Sequence, residues 1–370
     1  MDAFAAVFED LADPRTGNAK RHELLEILLI ALGTLLSGGT TCADMALFGR
    51  AKQDFLREFL TLRHGIPSHD TFSRVFRLLD PAPFRRCFLA FMRRFAGTCQ
   101  GVVALDGKTL RRSFDRAAAA SPLHLVSAWA VEQRLVLGQL AVDGKSNEIT
   151  AVPQLLALLA LKGTVVTADA LNCQRAIARQ VVERGGDYVL ALKGNQGTLH
   201  DDVRLFLDDP ATPLRSARGV DGAHGRIEER RAALSTDVGW LQEHHHWPGL
   251  AAIGKVTARR EEGGGKTTVR TRYYLLSRAF APERFGAIVR AHWDIENGLH
   301  WVLDVALDED QARNRKDHGP ENLALLRRLA LNLAKLEPSQ GSMRGKLKRA
   351  GWDNQFLARM LAQFASPQMR

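Results

Sequence analysis

The chain has 370 residues, 45% of them hydrophobic, and a net charge of +10. That content fits a folded globular protein of two or three domains, or one core with an insertion, and argues against a disordered chain. The charge favours a polyanionic partner, nucleic acid foremost. Four cysteines, Cys42, Cys87, Cys99 and Cys173, form no CxxC pair. A structural zinc site is therefore not expected, and a reducing compartment is.

Residues 1–95 read as a helical domain. The first residues, MDAFAAVFEDLADPR, lack the basic start of a secretory signal. The most apolar run, Leu24 to Leu36, carries Glu26 and is too short to span a bilayer. It reads as a core helix stopped at Gly38-Gly39. In HGIPSHDTFSRVFRLLDP, Ser68 is a helix cap and Phe72, Val75, Phe76 and Leu79 form one apolar face. A turn at Gly65 and Pro67 before a polar-faced helix predicts a helix-turn-helix.

Residues 96–196 alternate. GVVALDGK predicts a strand ending in Asp106, HLVSAWAVEQ and LVLGQLAV a hairpin, and EITAVPQLLALLAL a helix. GTVVTADA predicts a strand ending in Asp169, NCQRAIARQVVERG a helix, and DYVLALKGN a fifth strand. Strand, strand, strand, helix, strand, helix, strand is the element order of an RNase H-like mixed α/β fold, with the first and fourth strands adjacent. Residues 197–281 predict a β-rich insertion of three strands, HGRIEERRAALS, LAAIGKVTARREE and KTTVRTRYYLLS, with a turn at Gly263 to Gly265. Arg226, Arg230, Arg231, Arg259, Arg260, Lys266, Arg270 and Arg272 in it favour phosphate contact as a group. The adjacent His244, His245 and His246 cannot share one face of a regular element, so a loop is expected there. Residues 282–370 read as helical, with a basic end, and Trp293 and Trp301 read as core.

Three carboxylates carry the chemistry. Asp106 and Asp169 would meet at one sheet edge, and Glu296, in HWDIENGLHW, would reach them from a helix packed across it. Such a set can hold hard divalent cations beside a phosphodiester. Asp143, Asp304, Glu309 and Asp310 compete with them.

GIPSHDTFSRVF, VVALDGKTLR, AVDGKSNEITAVPQLL, VTADALNCQ, YVLALKGNQ, HGRIEER, RYYLLS, HWDIENGLHWVLDVALDEDQAR and KRAGWDNQFL run nearly end to end. In these the chain resembles the DDE-type insertion-sequence transposases, in the branch that includes the H-repeat-associated proteins. The resemblance implies an RNase H-like catalytic domain with an inserted β-domain. It implies cut-and-paste chemistry at terminal inverted repeats of double-stranded DNA, strand transfer into target DNA, and a homodimer on paired ends. It selects Asp106, Asp169 and Glu296 as catalytic acids holding Mg2+, with Mn2+ able to substitute. The expected setting is cytoplasmic, on the nucleoid, with no membrane partner.

Lys108, Arg111 and Arg112 follow the first aspartate and are expected at phosphate. Lys193, Asn195 and Gln196 end the fifth strand on the same edge, and Arg226 is a weaker DNA contact. Asn297 and His300 share the helix of Glu296, His300 lying on the same face. The wider superfamily's Tyr-x2-Arg-x3-Glu-x6-Lys pattern is not kept, since those places hold Val289, His292, Glu296 and Leu303. Two other readings are a transposase-derived DNA-binding protein without catalysis, and a metal-dependent nuclease that cuts without joining.

Overall fold

The computed structural model describes residues 2–95, 100–115, 119, 121–142, 148–223, 226–261 and 267–365. Asp143, Cys99 and the Gly263 to Lys266 turn fall outside the described residues, as does the side chain of Arg226.

Six helices open the chain: α1 (Asp2–Phe8), α2 (Leu24–Leu36), α3 (Cys42–Ala51), α4 (Gln53–Arg57), α5 (His69–Leu78) and α6 (Pro81–Arg93). Almost every side chain of α2 is buried. It stops where expected, at Gly38, whose φ of +86° suits glycine. Glu26 is tolerated inside it because its carboxylate accepts the backbone N–H of Leu62 at 2.7 Å. Ser68 caps α5 by accepting the Thr71 N–H, and Phe72, Val75 and Phe76 are buried. Residues 58–68 separate α4 from α5. A helix-turn-helix joins its helices by three or four residues, so this connection is too long for one. α5 packs on α3 instead.

Then come β1 (Gly101–Thr109), β2 (His124–Ala130), β3 (Leu135–Val142), α7 (Glu148–Ala157), β4 (Thr164–Ala168), α8 (Arg175–Glu183) and β5 (Asp187–Leu192). The predicted order is present. β1 pairs antiparallel with β2 and parallel with β4, and β4 parallel with β5. Asp106 lies inside β1 rather than at its end, because β1 runs on to Thr109.

Beyond β5 the chain forms α9 (Thr198–Asp208), β6 (Arg215–Ala223), β7 (Arg226–Ser235), α10 (Gly239–His245), β8 (Ala252–Glu261) and β9 (Thr267–Leu276). These strands extend the same sheet. β9 pairs antiparallel with β5, and the full order is β3-β2-β1-β4-β5-β9-β8-β7-β6. His244 and His245 form the last turn of α10 rather than a loop; His246 caps it in the left-handed conformation, and His245 bonds Asp202 at 2.8 Å.

The last part is α11 (Pro282–His292), a π-helical turn (Ile295–His300), α12 (Trp301–Leu307), α13 (Gly319–Leu336), α14 (Met343–Trp352) and α15 (Asn354–Ala362). The two sheet faces are covered by different layers. Val103, Leu105, Val166 and Ala168 share a core with α7 and α8, and Val102, Val165 and Val189 share one with α11. α13 ties the sheet to the opening helices. Its Asn332 makes both backbone hydrogen bonds of Val136 in β3, and its Asn322 donates to the carbonyls of Phe76 and Leu79. No described helix is long and apolar enough to cross a membrane.

Candidate active site

Side chains alternate along a strand, so Ala104, Asp106 and Lys108 of β1 face the α11 layer. The π turn and α12 run over that face. Two strand residues advance about 6.7 Å and four α-helical residues about 6 Å, so contacts spaced by two on β1 match contacts spaced by four on the helix. His300 Nδ1 lies 3.5 Å from Asp106 Oδ2, and Asp304 lies 2.6 Å from Lys108 Nζ.

The π turn is pinned to the sheet just before Glu296. Trp129 of β2 donates its indole N–H to Asp294 at 3.0 Å. Gly298 allows that approach, since a Cβ there would stand 2.7 Å from the Asp294 carboxylate and 3.1 Å from the Trp129 ring. Glu296 is half-exposed, and its Oε2 lies 3.6 Å from His300 Nδ1. One oxygen each from Asp106 and Glu296 and one nitrogen of His300 lie within 4.8 Å of one another. Asp169 follows β4 directly. It stands one residue past the last paired positions, Leu105 and Ala168, as does Asp106. The structure thus brings Asp106, Asp169 and Glu296 to one edge.

Charge is concentrated there. Burial, and then the Glu296 charge, push the Asp106 carboxyl up to about 7, with Asp169 and Glu148 adding to it. Burial, with Arg328 and Lys108 beside it, drives His300 down to about 3, so its ring is neutral. His292 is driven down to about 4 by burial, and its Nδ1 meets Thr167 Oγ1 at 3.1 Å. Behind the acids, His300 Nε2 is buried without a hydrogen-bond partner. So are Ser127 Oγ, opposite Asp106 in the β1–β2 register, and Gln139 Oε1, opposite Ser127.

A second set of residues went unread in the sequence. Asp169 Oδ1 accepts from the backbone and side-chain nitrogens of Asn172, both at 3.1 Å. The Asn172 amide also donates to Glu148 at 3.0 Å, and Glu148 bonds His124 at 2.7 Å. His124 continues to Thr109 at 2.8 Å. The His124 hydrogen bond holds Glu148 below the usual carboxylate range. Glu148 is a fourth carboxylate at this edge. Its signal in the sequence is an acid at the first position of the apolar run EITAVPQLLALLAL.

The expected DNA contacts divide. Lys108 has other partners: it is buried, with Asp304 at 2.6 Å, Asp310 at 3.1 Å and Glu309 at 4.0 Å. It is a strut from β1 to α12 and the turn that follows it, and its ammonium does not face solvent. Asn195 and Gln196 donate to the carbonyls of Ala170 and Cys173, bracing the loop behind Asp169. Arg111 and Lys193 are exposed, and Arg112 is half-buried. Asn297 is exposed and lines a groove of about 870 Å³ with Arg134, Arg230, Arg272, Arg290 and Trp293. Trp293 and Trp301 are exposed rather than core, and the Arg272 guanidinium stacks on Trp293 at 5.0 Å.

The model of the transposase DDE domain matches residues 97–333, and the model of the segment associated with that domain matches residues 5–92. The chain belongs to the DDE transposase family. It is 35% identical to the "H repeat-associated putative transposase YhhI" of Escherichia coli K12 over 92% of this chain and 93% of that one. It is 35% identical to the protein YbfL of the same strain, over 95% and 96%. It is 50% identical to an uncharacterised protein encoded in the dhlA 3′ region of Xanthobacter autotrophicus, over 70% and 88%. Likeness to a solved piggyBac transposase synaptic complex with hairpin DNA, at TM-score 0.47 and 10% identity, is too faint to place the fold.

The donor set fits the divalent metal used by such enzymes. Acid oxygens of Asp106 and Glu296 converge, and the Asp106 carboxyl is raised by burial and then by the Glu296 charge, the second of which a cation would relieve.

Proposed function

We propose that this DDE transposase cuts DNA at the terminal inverted repeats of its element and joins the freed ends to target DNA. Asp106, Asp169 and Glu296 are the catalytic acids, on a five-strand half-sheet of RNase H-like type. The single observation that carries this reading is that Asp106 and Asp169 each follow the last residues paired between β1 and β4, with Glu296 offering an oxygen within 4.8 Å of Asp106. Mg2+, or Mn2+ in its place, would be held by these acids and would supply charge neutralisation at the phosphodiester in each in-line step.

The chain's own residues do the rest by position. Asn172 fixes the rotamer of Asp169, and Glu148 and His124 fix Asn172. Half-exposed Glu296 closes the open side, while Asp106 is rigid inside its strand. Phosphoryl transfer asks mainly for such positioning and for charge stabilisation. Arg111 and Lys193, exposed after β1 and β5, take the flanking phosphates. Paired ends would be bridged by a homodimer.

The experiment uses full-length protein and a labelled duplex carrying the inverted repeat that flanks its gene. Divalent-metal-dependent cleavage followed by joining, both lost in Asp106→Asn, supports the reading. Cleavage without joining would make it a nuclease. Binding by the parent without cleavage, unchanged in Asp106→Asn, Asp169→Asn and Glu296→Gln, would make it a DNA-binding protein only.

A further inference from the structure

His300 is spaced as a ligand rather than as a hydrogen-bond partner. Its Nδ1 stands 3.5 Å from Asp106 Oδ2 and 3.6 Å from Glu296 Oε2. Both distances exceed an N–H···O bond, which peaks near 2.9 to 3.0 Å. Donors around one small cation, with bonds of about 2.1 Å, lie about 3 Å apart when adjacent and about 4 Å when opposite. The three atoms here fall within 4.8 Å of one another, and half-exposed Glu296 is free to tighten the set. The imidazole is not a surface group that happens to be near. It is 6% exposed, fixed between sheet and helix, with one nitrogen aimed at the acids and the other without a protein partner.

We infer that His300 Nδ1 is a direct ligand of the metal held by Asp106 and Glu296, so that this position carries two carboxylates and one imidazole. Asp169, whose Oδ1 is engaged by Asn172, stands outside this three-atom group and is left to a neighbouring position. The consequence is selectivity. Mg2+ and Ca2+ prefer oxygen, whereas Mn2+ and the later divalent metals accept imidazole nitrogen. The site therefore favours Mn2+ over Mg2+ more than an all-carboxylate site would.

This inference rests on the reading of the three acids as metal ligands, and its test separates the two. The full-length protein, stripped of metal, is titrated with Mn2+ alone and examined by pulsed electron paramagnetic resonance. The expected spectrum shows nitrogen modulation from one bound imidazole, altered when histidine is labelled with the heavier nitrogen isotope. His300→Gln removes the modulation and weakens Mn2+ binding by about tenfold or more. Mg2+ then competes more effectively with Mn2+ than it does in the parent. An oxygen-only spectrum in the parent overturns the inference whether or not the variant folds, and so does an absence of bound Mn2+. If the spectrum is oxygen-only while DNA is still cleaved and joined, the inference fails and the proposed function stands. If nitrogen is bound but DNA is neither cut nor joined in Mn2+ or Mg2+, the function fails and the ligand assignment stands.

Discussion

Asp106 is the residue whose environment departs furthest from that of an ordinary carboxylate, and its titration can be read in stability. Its carboxyl is pushed from 3.8 to about 7 by burial and by Glu296. A raised acid pKa means that the folded state holds the proton more tightly than the unfolded chain does. The metal-free protein therefore loses stability as pH rises from about 4 to about 7, by at most about 4 kcal/mol. Thermal melts of the metal-free protein across that window should show the slope, and Asp106→Asn should flatten it. Equal slopes in both proteins would place the strain elsewhere. The Asn172–Glu148–His124 chain makes a separate claim. Asn172→Ala releases Asp169 and Glu148 while leaving Asp106, Asp169 and Glu296 in the chain, so DNA cleavage should fall about tenfold to a hundredfold while the circular dichroism spectrum is unchanged. Unaltered cleavage would show that Asp169 needs no such bracing.

At the scale of elements, the pairing of β1 with the π turn and α12 decides what Lys108 does. The sequence puts a lysine and two arginines after an aspartate, which reads as a phosphate clamp. The structure places Lys108 against Asp304, Asp310 and Glu309 and leaves Arg111 82% exposed. Lys108→Ala takes the buried ammonium from between Asp304 and Asp310, while Glu309 keeps Arg328, and should cost about 3 kcal/mol in urea unfolding. Arg111→Ala should change stability by no more than about 0.5 kcal/mol. A Lys108→Ala protein with parental stability and a shallower salt dependence of DNA binding would restore the phosphate reading. The same elements show what was legible in the sequence. The five core strands and their order follow from short apolar runs with clear stops, and α5 from its cap and apolar face. β6 was missed because RSARGVDGA holds almost no apolar residue; its place comes from pairing with β7. The insertion's union with the core sheet is a register between β5 and β9 that no local pattern encodes. Trp293 and Trp301 were read as core because aromatic residues at helical spacing usually are; the π turn changes which face they present.

For the whole molecule, the family match falls in two segments, residues 5–92 and 97–333, yet the packing does not respect that division. One core cluster runs from Phe4 through α2, α5 and α6 to β1–β5 and on to Phe364. α13 is buried almost throughout and contacts α2, α5, α6 and β3. Within it Arg328 is fully buried against Glu309 at 2.6 Å, and Asn322 and Asn332 replace backbone partners on both sides. Removing the opening helices would uncover the apolar side of α13, and removing α13 would leave α2 and β3 without a cover. Neither loss can be offset by a remaining domain core, because the core is shared. The full chain should therefore unfold in one cooperative transition, with circular dichroism and tryptophan fluorescence coincident. Residues 1–95 expressed alone should show no cooperative melt. The six tryptophans all lie after residue 95, so fluorescence reports the sheet and later helices, while circular dichroism is weighted to all helices. A helical signal lost well before the fluorescence changes, together with a folded 1–95 fragment, would mean that the opening helices are an independent unit.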